Sequence, residues 1–210
     1  MSGKTKIVVF DLGGVLVRIH HEVSAALSAA GWMGKPVELH DLAEFNRVNC
    51  EYQSGRLSLE EFVDHTYDQL QGRVPKEFLR SAHDSVLRSE YVGARKVVED
   101  LRNAGVATAV LSNTCASHWE KLSKFEAVST ASREHCFLSF EMGMVKPDGS
   151  IYEKVERDLA VQPFEIAFLD DSQANIEAAK KRGWQATLVQ SAREGCEPLR
   201  EALRGFGFSV

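Results

Sequence analysis

Asp11, Ser112, Lys146 and the pair Asp170-Asp171 are the side chains of this 210-residue sequence whose types and settings could do chemistry. Three of these positions directly follow an apolar run: Ile7-Val8-Val9-Phe10 before Asp11, Val106 to Leu111 before Ser112, and Ile166-Ala167-Phe168-Leu169 before Asp170. Lys146 comes after a weaker run, Cys136-Phe137-Leu138-Ser139-Phe140, through Gly143-Met144-Val145. A carboxylate can attack phosphorus and be released later by water. Two anions approach only with help, and a bridging divalent cation supplies it. Asp11 and Asp171 offer the hard oxygen ligands that Mg²⁺ takes. Lys146 would neutralise nucleophile and phosphate as a point charge. Ser112, Asn113 and nearby backbone N–H groups would hold phosphate oxygens, aided by the N-terminus of the next helix. Gly13 and Gly14 let the chain turn sharply and bring its backbone close to a ligand. The mix suits phosphoryl transfer through an aspartyl-phosphate.

Each piece alone has a plainer reading. An Asp at a strand end, or the Asp170-Asp171 pair, is often a turn residue or helix cap. Ser112-Asn113-Thr114 could cap the next helix, and Lys146 before Pro147 could be a solvated loop charge. The elements that position them decide otherwise. The apolar runs read as strands, and between them lie helices over Ala94–Asn103, Ala116–Lys124, Ser150–Leu159 with Ser150 as cap, and Ala174–Arg182, with a last strand over Ala186–Val189. Strands alternating with helices predict an α/β fold, a Rossmann-like parallel sheet with helices on both faces. In such sheets ligands bind beyond the carboxyl ends of the strands. All of the candidate residues follow those ends, so they converge on one edge.

From Glu22 to about Arg88 the texture is helical, with no strand pattern. Val23, Ala26, Leu27 and Ala30 repeat at helical spacing, and Ser58-Leu59-Glu60-Glu61 has the form of a capping box. The expected organisation is therefore a core of residues 1–17 and 91–210 with an inserted α-helical cap at 18–90. The formal net charge of −5 argues against a nucleic-acid partner but not against a small phosphorylated metabolite. Cys50, Cys115, Cys136 and Cys196 form no C-x-x-C pair, so reduced thiols are expected. No apolar run approaches the roughly 20 residues of a membrane helix, and the run before Asp11 is too short for a secretory leader, so a cytoplasmic protein is expected. Phe206 and Phe208 are candidates for packing or for an interface. Nothing in the sequence speaks to oligomeric state.

In their order, four motifs resemble the haloacid dehalogenase (HAD) superfamily. These are Phe10-Asp11-Leu12-Gly13-Gly14-Val15-Leu16, Leu111-Ser112-Asn113-Thr114, Val145-Lys146-Pro147-Asp148, and Phe168-Leu169-Asp170-Asp171 running on to Asn175-Ile176. Asp-Leu-Gly-Gly, the Leu-Ser-Asn-Thr motif with His118 behind it, and Asp-Asp-x-x-x-Asn are similar to the branch containing alpha-D-glucose-1-phosphate phosphatases. The resemblance implies Mg²⁺, Asp11 as nucleophile, Asp171 and the Gly13 carbonyl as metal ligands, and Asp170 and Asn175 supporting them from behind. The helical stretch sits where the family places a small cap.

One residue departs from the pattern. Most phosphatases of the family carry a second Asp where this chain has Gly13, and loss of a general acid–base group costs about 10²–10⁴-fold. Three readings follow. The first is a slower phosphatase that favours a leaving group needing little protonation, such as an anomeric sugar phosphate or an acyl phosphate. The second is a 2-haloacid dehalogenase-like hydrolase, against which the paired carboxylates argue by repelling an anionic substrate. The third is a phosphate-binding module of low turnover. His20 and His21 at the hinge read as exposed histidines, with a substitute acid as the alternative. His118 and Trp119 could face the cap and a sugar, and Glu51 to Arg56 could read the substrate.

Overall fold

Alternation within the apolar runs divides them between two faces of one sheet. The computed structural model describes residues 5–189 and 195–210, so 1–4 and 190–194 of the expected core lie outside the described residues. In chain order the elements begin with β1 (Ile7–Phe10), β2 (Val17–Ile19), α1 (Val23–Ala29), α2 (Leu42–Gln53), α3 (Leu59–Gln69), α4 (Lys76–Ser85) and β3 (Leu87–Glu90). Next come α5 (Ala94–Asn103), β4 (Ala107–Ser112), α6 (Ala116–Leu122), α7 (Glu126–Ala131), β5 (His135–Leu138) and α8 (Ser139–Met142). The chain continues with α9 (Gly149–Leu159), β6 (Ile166–Asp170), α10 (Gln173–Lys181), β7 (Gln185–Leu188) and α11 (Glu197–Gly205).

Five strands form a parallel sheet in the order β5-β4-β1-β6-β7. Val8, Phe10, Val110, Ala167 and Leu169 face one side and pack on α5, α7 and α11. Ile7, Val9, Ala109, Leu111, Ile166 and Phe168 face the other and pack on α9 and α10. Strands buried on both faces explain why these runs are continuously apolar. The predicted α/β sheet with helices on both faces is therefore the observed one.

Several boundaries differ from the sequence reading, each for a local reason. The run from Cys136 to Phe140 is not strand throughout. Ser139 leaves the ladder because its Oγ accepts the Thr114 N–H at 2.8 Å and lies 2.6 Å from the Gln53 carbonyl, and Ser139-Phe140 opens α8 instead. The cap of α9 is Asp148, whose carboxylate accepts from the Ser150 N–H at 2.9 Å, so Ser150 lies inside the helix. The helix expected over Ala116–Lys124 ends at Leu122, and α7 follows from Glu126. Phe206 and Phe208 are partly buried against the first core face.

The helical stretch does contain strand. β2 and β3 pair antiparallel, Val17 opposite Glu90 and Ile19 opposite Leu87. This ribbon carries the chain out of the sheet and back. Between its strands, α1 and α3 pack on α4 around Leu27, Val63, Leu70, Val74 and Leu79, and α2 packs on α3. Ser58 and Glu61 form the capping box of α3. No helix among the described residues is long and apolar enough to cross a membrane.

Candidate active site

Register places the carboxylates. β1 lies between β4 and β6, with Phe10 opposite both Val110 and Leu169. The Asp11 N–H continues the ladder to the Leu169 carbonyl at 2.8 Å. Asp11, Ser112 and Asp170 therefore emerge side by side from three neighbouring strands. One carboxylate oxygen from each of Asp11, Asp170 and Asp171 lies within 4.8 Å of the others.

Lys146 joins them from the loop before α9. Its ammonium donates to Asp11 Oδ1 at 2.7 Å, to Asp170 Oδ2 at 2.6 Å and to the Leu111 carbonyl at 2.8 Å. All three of its N–H groups are thus satisfied, which is what a buried ammonium requires. Asn113 has a different task from the ligand-holding one its position suggested. Its Nδ2 donates to the Lys146 carbonyl at 2.9 Å, and its Oδ1 accepts from the Lys146 N–H at 2.8 Å. Both ends of its amide clasp the lysine's backbone. Ser112 is buried on the same edge.

The two adjacent aspartates have unequal surroundings. Asp170 is fully buried, and its oxygens accept from Lys146, from Asn175 Nδ2 at 3.0 and 3.1 Å and from the Ser172 N–H at 2.8 Å. The Asp171 side chain is half-buried, and among the described residues its ion-pair-range contact is with the His21 imidazole, Nε2 to Oδ2 at 3.9 Å. Burial, with Asp170 beside it, raises the Asp171 carboxyl above its ordinary range. Asp11 is pushed up to about 7, chiefly by burial; Lys146 opposes the rise while Asp170 and Asp171 add to it. Burial would lower Lys146, but Asp11 and Asp170 outweigh it and hold its proton firmly. Three carboxylates gather at one lysine that bonds to two of them, and the site favours a further cation.

The glycines make the room. Gly14 has φ +73°, and a Cβ there would stand 2.2 Å from Asp171 Oδ2. A Cβ on Gly13 would meet Ile19 Cδ1 at 2.8 Å, so an apolar side chain of the ribbon fills the space beside that position.

Beside this edge, a cavity of about 190 Å³ lies between the helical stretch and the start of α6. Its walls include Phe45, Phe62 and Val63 with His20, His21 and Asn49. His118 lines it too, but its ring stacks on His83 and its Nε2 donates to the His83 carbonyl at 2.9 Å. Trp119 packs against the first core face instead of facing the cavity. The turn after α2 is tied to the loop that carries Lys146: Arg56 pairs with Glu51 and donates to the Gly143 carbonyl at 3.0 Å. Tyr52, His83 and Cys115 meet at the cavity wall. Periodicity marks them only as inward-facing, so sequence reasoning passed over them.

The sequence matches the haloacid dehalogenase-like hydrolase family over residues 5–183. It is 26% identical to a D-ribitol-5-phosphate phosphatase of Bacteroides thetaiotaomicron, over 92% of this chain and 96% of that one. It is also 26% identical to (S)-2-haloacid dehalogenase 4A of Burkholderia cepacia, over 96% and 89%. A match of 28% identity to mouse acyl-CoA dehydrogenase family member 10 covers 96% of this chain but 19% of that protein. Among solved structures, a HAD-family enzyme of Bacteroides thetaiotaomicron in complex with magnesium and inorganic phosphate superposes with TM-score 0.71 at 24% identity, covering 90% of this chain and 96% of that one. At that identity the likeness concerns the fold.

Proposed function

The chain belongs to the haloacid dehalogenase-like hydrolases, and from that premise we propose that it is a Mg²⁺-dependent phosphomonoester hydrolase with Asp11 as nucleophile. The observation that carries this reading is the unequal sharing of Lys146. Its ammonium is spent on Asp11 and Asp170, while Asp171 has no hydrogen-bonding cation among the described residues. An all-oxygen donor set, with space preserved by the absent Cβ of Gly14, fits Mg²⁺. Asp11, Asp171 and the Gly13 carbonyl would hold it, with Asp170 and Asn175 fixing the carboxylates from behind. When bound, the ion screens the negative charge of phosphate and nucleophile.

The chain's own residues do the rest. Lys146 holds Asp11 in place and neutralises charge as phosphate arrives. Ser112 holds a phosphate oxygen, and Asn113 keeps Lys146 aligned. Asp11 attacks phosphorus, and water later frees it. With Gly13 in the nucleophile loop and Ile19 packed beside it, no carboxylic acid stands there to protonate the leaving group. The favoured leaving oxygen is therefore weakly basic, as in an anomeric sugar phosphate or an acyl phosphate. The motifs that resemble the glucose-1-phosphate phosphatase branch support an anomeric sugar phosphate, whereas a relative named for a polyol phosphate, itself a primary alkyl ester, supports only the wider class of small phosphorylated metabolites. Residues 18–90 act as a cap over a core of 1–17 and 91–210, and the cavity between them receives the leaving group.

Phosphate release from glucose 1-phosphate, acetyl phosphate, p-nitrophenyl phosphate and a primary alkyl phosphate, in Mg²⁺ or in EDTA, tests the reading. Turnover is expected only with Mg²⁺, with the alkyl ester slowest by about tenfold or more. Absence of Mg²⁺-dependent release from all four would overturn it, and consumption of a 2-haloacid in EDTA would put a dehalogenase in its place. Gly14→Ala probes the metal position. Its methyl group displaces Asp171, so half-maximal activation should need about 10–100-fold more Mg²⁺. An unchanged Mg²⁺ titration would count against Asp171 as a ligand.

A further inference from the structure

A second group of ionisable side chains closes on the cavity wall. Cys115 ends the loop after β4, His118 lies about one turn along α6, and His83 reaches them from α4. One ligating atom from each lies within 4.8 Å of the others. Cys115 Sγ is 3.6 Å from His83 Nε2 and 3.4 Å from Ser117 Oγ. The tautomer of His118 follows from its partner. Its Nε2 faces the His83 carbonyl, which only accepts, so Nε2 carries a proton. The other ring nitrogen is then the base available to the Cys115 thiol, a His118 ring nitrogen lying within 4.8 Å of Sγ. The two imidazoles stack 4.1 Å apart at 20°. Near-parallel rings do not spread their nitrogens around a tetrahedral ion, so the group reads as a thiol–imidazole pair and not as a zinc centre.

We propose that Cys115, His118 and His83 form a reactive thiol site that takes small uncharged oxidants of the peroxide class, and that oxidation there shuts the hydrolytic site. The second half rests on the phosphatase reading; the first does not. Cys115 is buried but lines the cavity, so only a reagent small enough to enter reaches it. Burial alone would raise its thiol, but hydrogen bonds to His118 and His83 prevail and bring it down to about 4. The other cysteines lack this setting: burial raises Cys50, and pushes Cys136 up to about 12 and Cys196 up to about 11. Other titratable or charged groups around the cluster include Tyr52 on α2, Asp84 on α4 and Lys121 on α6, and His20, His21 and Glu22 line the same cavity. Tyr52 bonds to His83 Nε2 at 2.9 Å, and Asp84 and Lys121 pair with each other at 3.0 Å.

The chemistry closes on residues present. The Cys115 thiolate attacks one peroxide oxygen, an S–O bond forms as the O–O bond breaks, and the departing hydroxide takes the imidazolium proton of His118 and leaves as water. Sulfur is oxidised to sulfenic acid and peroxide is reduced. Cys115 lines the cavity that receives the leaving group on the phosphatase reading, so an added oxygen there would narrow it.

The experiment treats the Mg²⁺-loaded full chain with hydrogen peroxide at pH 6, unfolds it, alkylates the remaining thiols and maps them by mass spectrometry. Cys115 is expected to be lost about tenfold faster than Cys50, Cys136 and Cys196, with phosphate release falling in step and returning on thiol reduction. His118→Asn should slow loss of Cys115 by about tenfold or more. Cys115→Ser should make phosphate release, relative to its own untreated rate, insensitive to peroxide. Oxidation spread evenly over the cysteines, or sparing Cys115, would overturn the site. Oxidised Cys115 with undiminished phosphate release would overturn the shut-off. If no substrate of the panel releases phosphate, the shut-off falls with that reading, while the mapping still decides the thiol site.

Discussion

Asp11→Asn is expected to lower phosphate release by about 10⁴-fold or more, the scale on which loss of a covalent nucleophile is felt. It should also leave the metal-free fold more stable than the parent at neutral pH, because the site is built at the expense of the carboxylate it uses. Asp11 is buried against two other carboxylates, and its carboxyl is raised from an ordinary 3.8 to about 7. The native state therefore binds this proton more tightly than the unfolded chain does. Linkage fixes the sign: this group's contribution is fully present below about pH 4 and is lost as pH rises towards 7. The isosteric amide carries no such slope and still offers an oxygen to Lys146. Urea denaturation in EDTA at pH 5 and pH 8 measures it, and the parent should lose stability relative to the variant across that interval. Added Mg²⁺ should stabilise the parent more than the variant. A variant that still turns over, or that is the less stable of the two in EDTA at pH 8, would remove Asp11 from the role given to it.

Lys146→Met should affect both fold and rate. The ammonium is the shared donor of Asp11, Asp170 and the Leu111 carbonyl, and all three lie within 2.8 Å of it. Methionine fills much of the same volume but leaves two buried carboxylates facing each other. Removing one partner of a buried ionic group costs about 3–5 kcal/mol, and a loss of that size should appear in denaturant titration. Part of it should return at low pH, where Asp11 is protonated, or with Mg²⁺. Phosphate release should fall by about 10³-fold or more, since charge neutralisation at the phosphate is lost. Lys146→Arg should not restore it: a planar guanidinium presents its donors in a fork that cannot reproduce three bonds converging on one nitrogen. Near-parental stability for Lys146→Met would show that the lysine is not the counter-ion of this cluster.

The parts of the site that were legible in the sequence are those carried by single strands. Asp11, Ser112 and Asp170 each end or directly follow an apolar run, so their convergence needs only the parallel sheet that the alternation of elements implies. Lys146 sits on a loop, but its nearness in sequence to the weak strand placed it on the same edge. What escaped has its cause in tertiary structure. The three-residue strand Val17–Ile19 is too short to show a period, and its partner Leu87–Glu90 lies on the far side of four helices. Asn113 looked like a ligand-facing amide because its side chain is polar and near Ser112; only the approach of the Lys146 loop gives it the backbone groups it clasps. The Cys115–His118–His83 group draws on two distant helices, and an inward-facing histidine on an amphipathic helix reads as core until its neighbour across the packing interface is known.

The ribbon of β2 and β3 makes the fold modular. Partners in an antiparallel ladder stand about 4.5–5.5 Å apart, so the chain leaves the sheet and re-enters it at nearly the same point. From the standpoint of the five-stranded sheet, everything between Ile19 and Leu87 is a loop whose ends are already tied together. The closure entropy of that loop depends only weakly on its length. The segment above the ribbon is thus free to lengthen, shorten or be exchanged by recombination without altering the register that brings Asp11, Ser112 and Asp170 side by side. If the segment sets selectivity, as proposed, a change there would leave the sheet edge intact, and the join between the two is a pair of short strands.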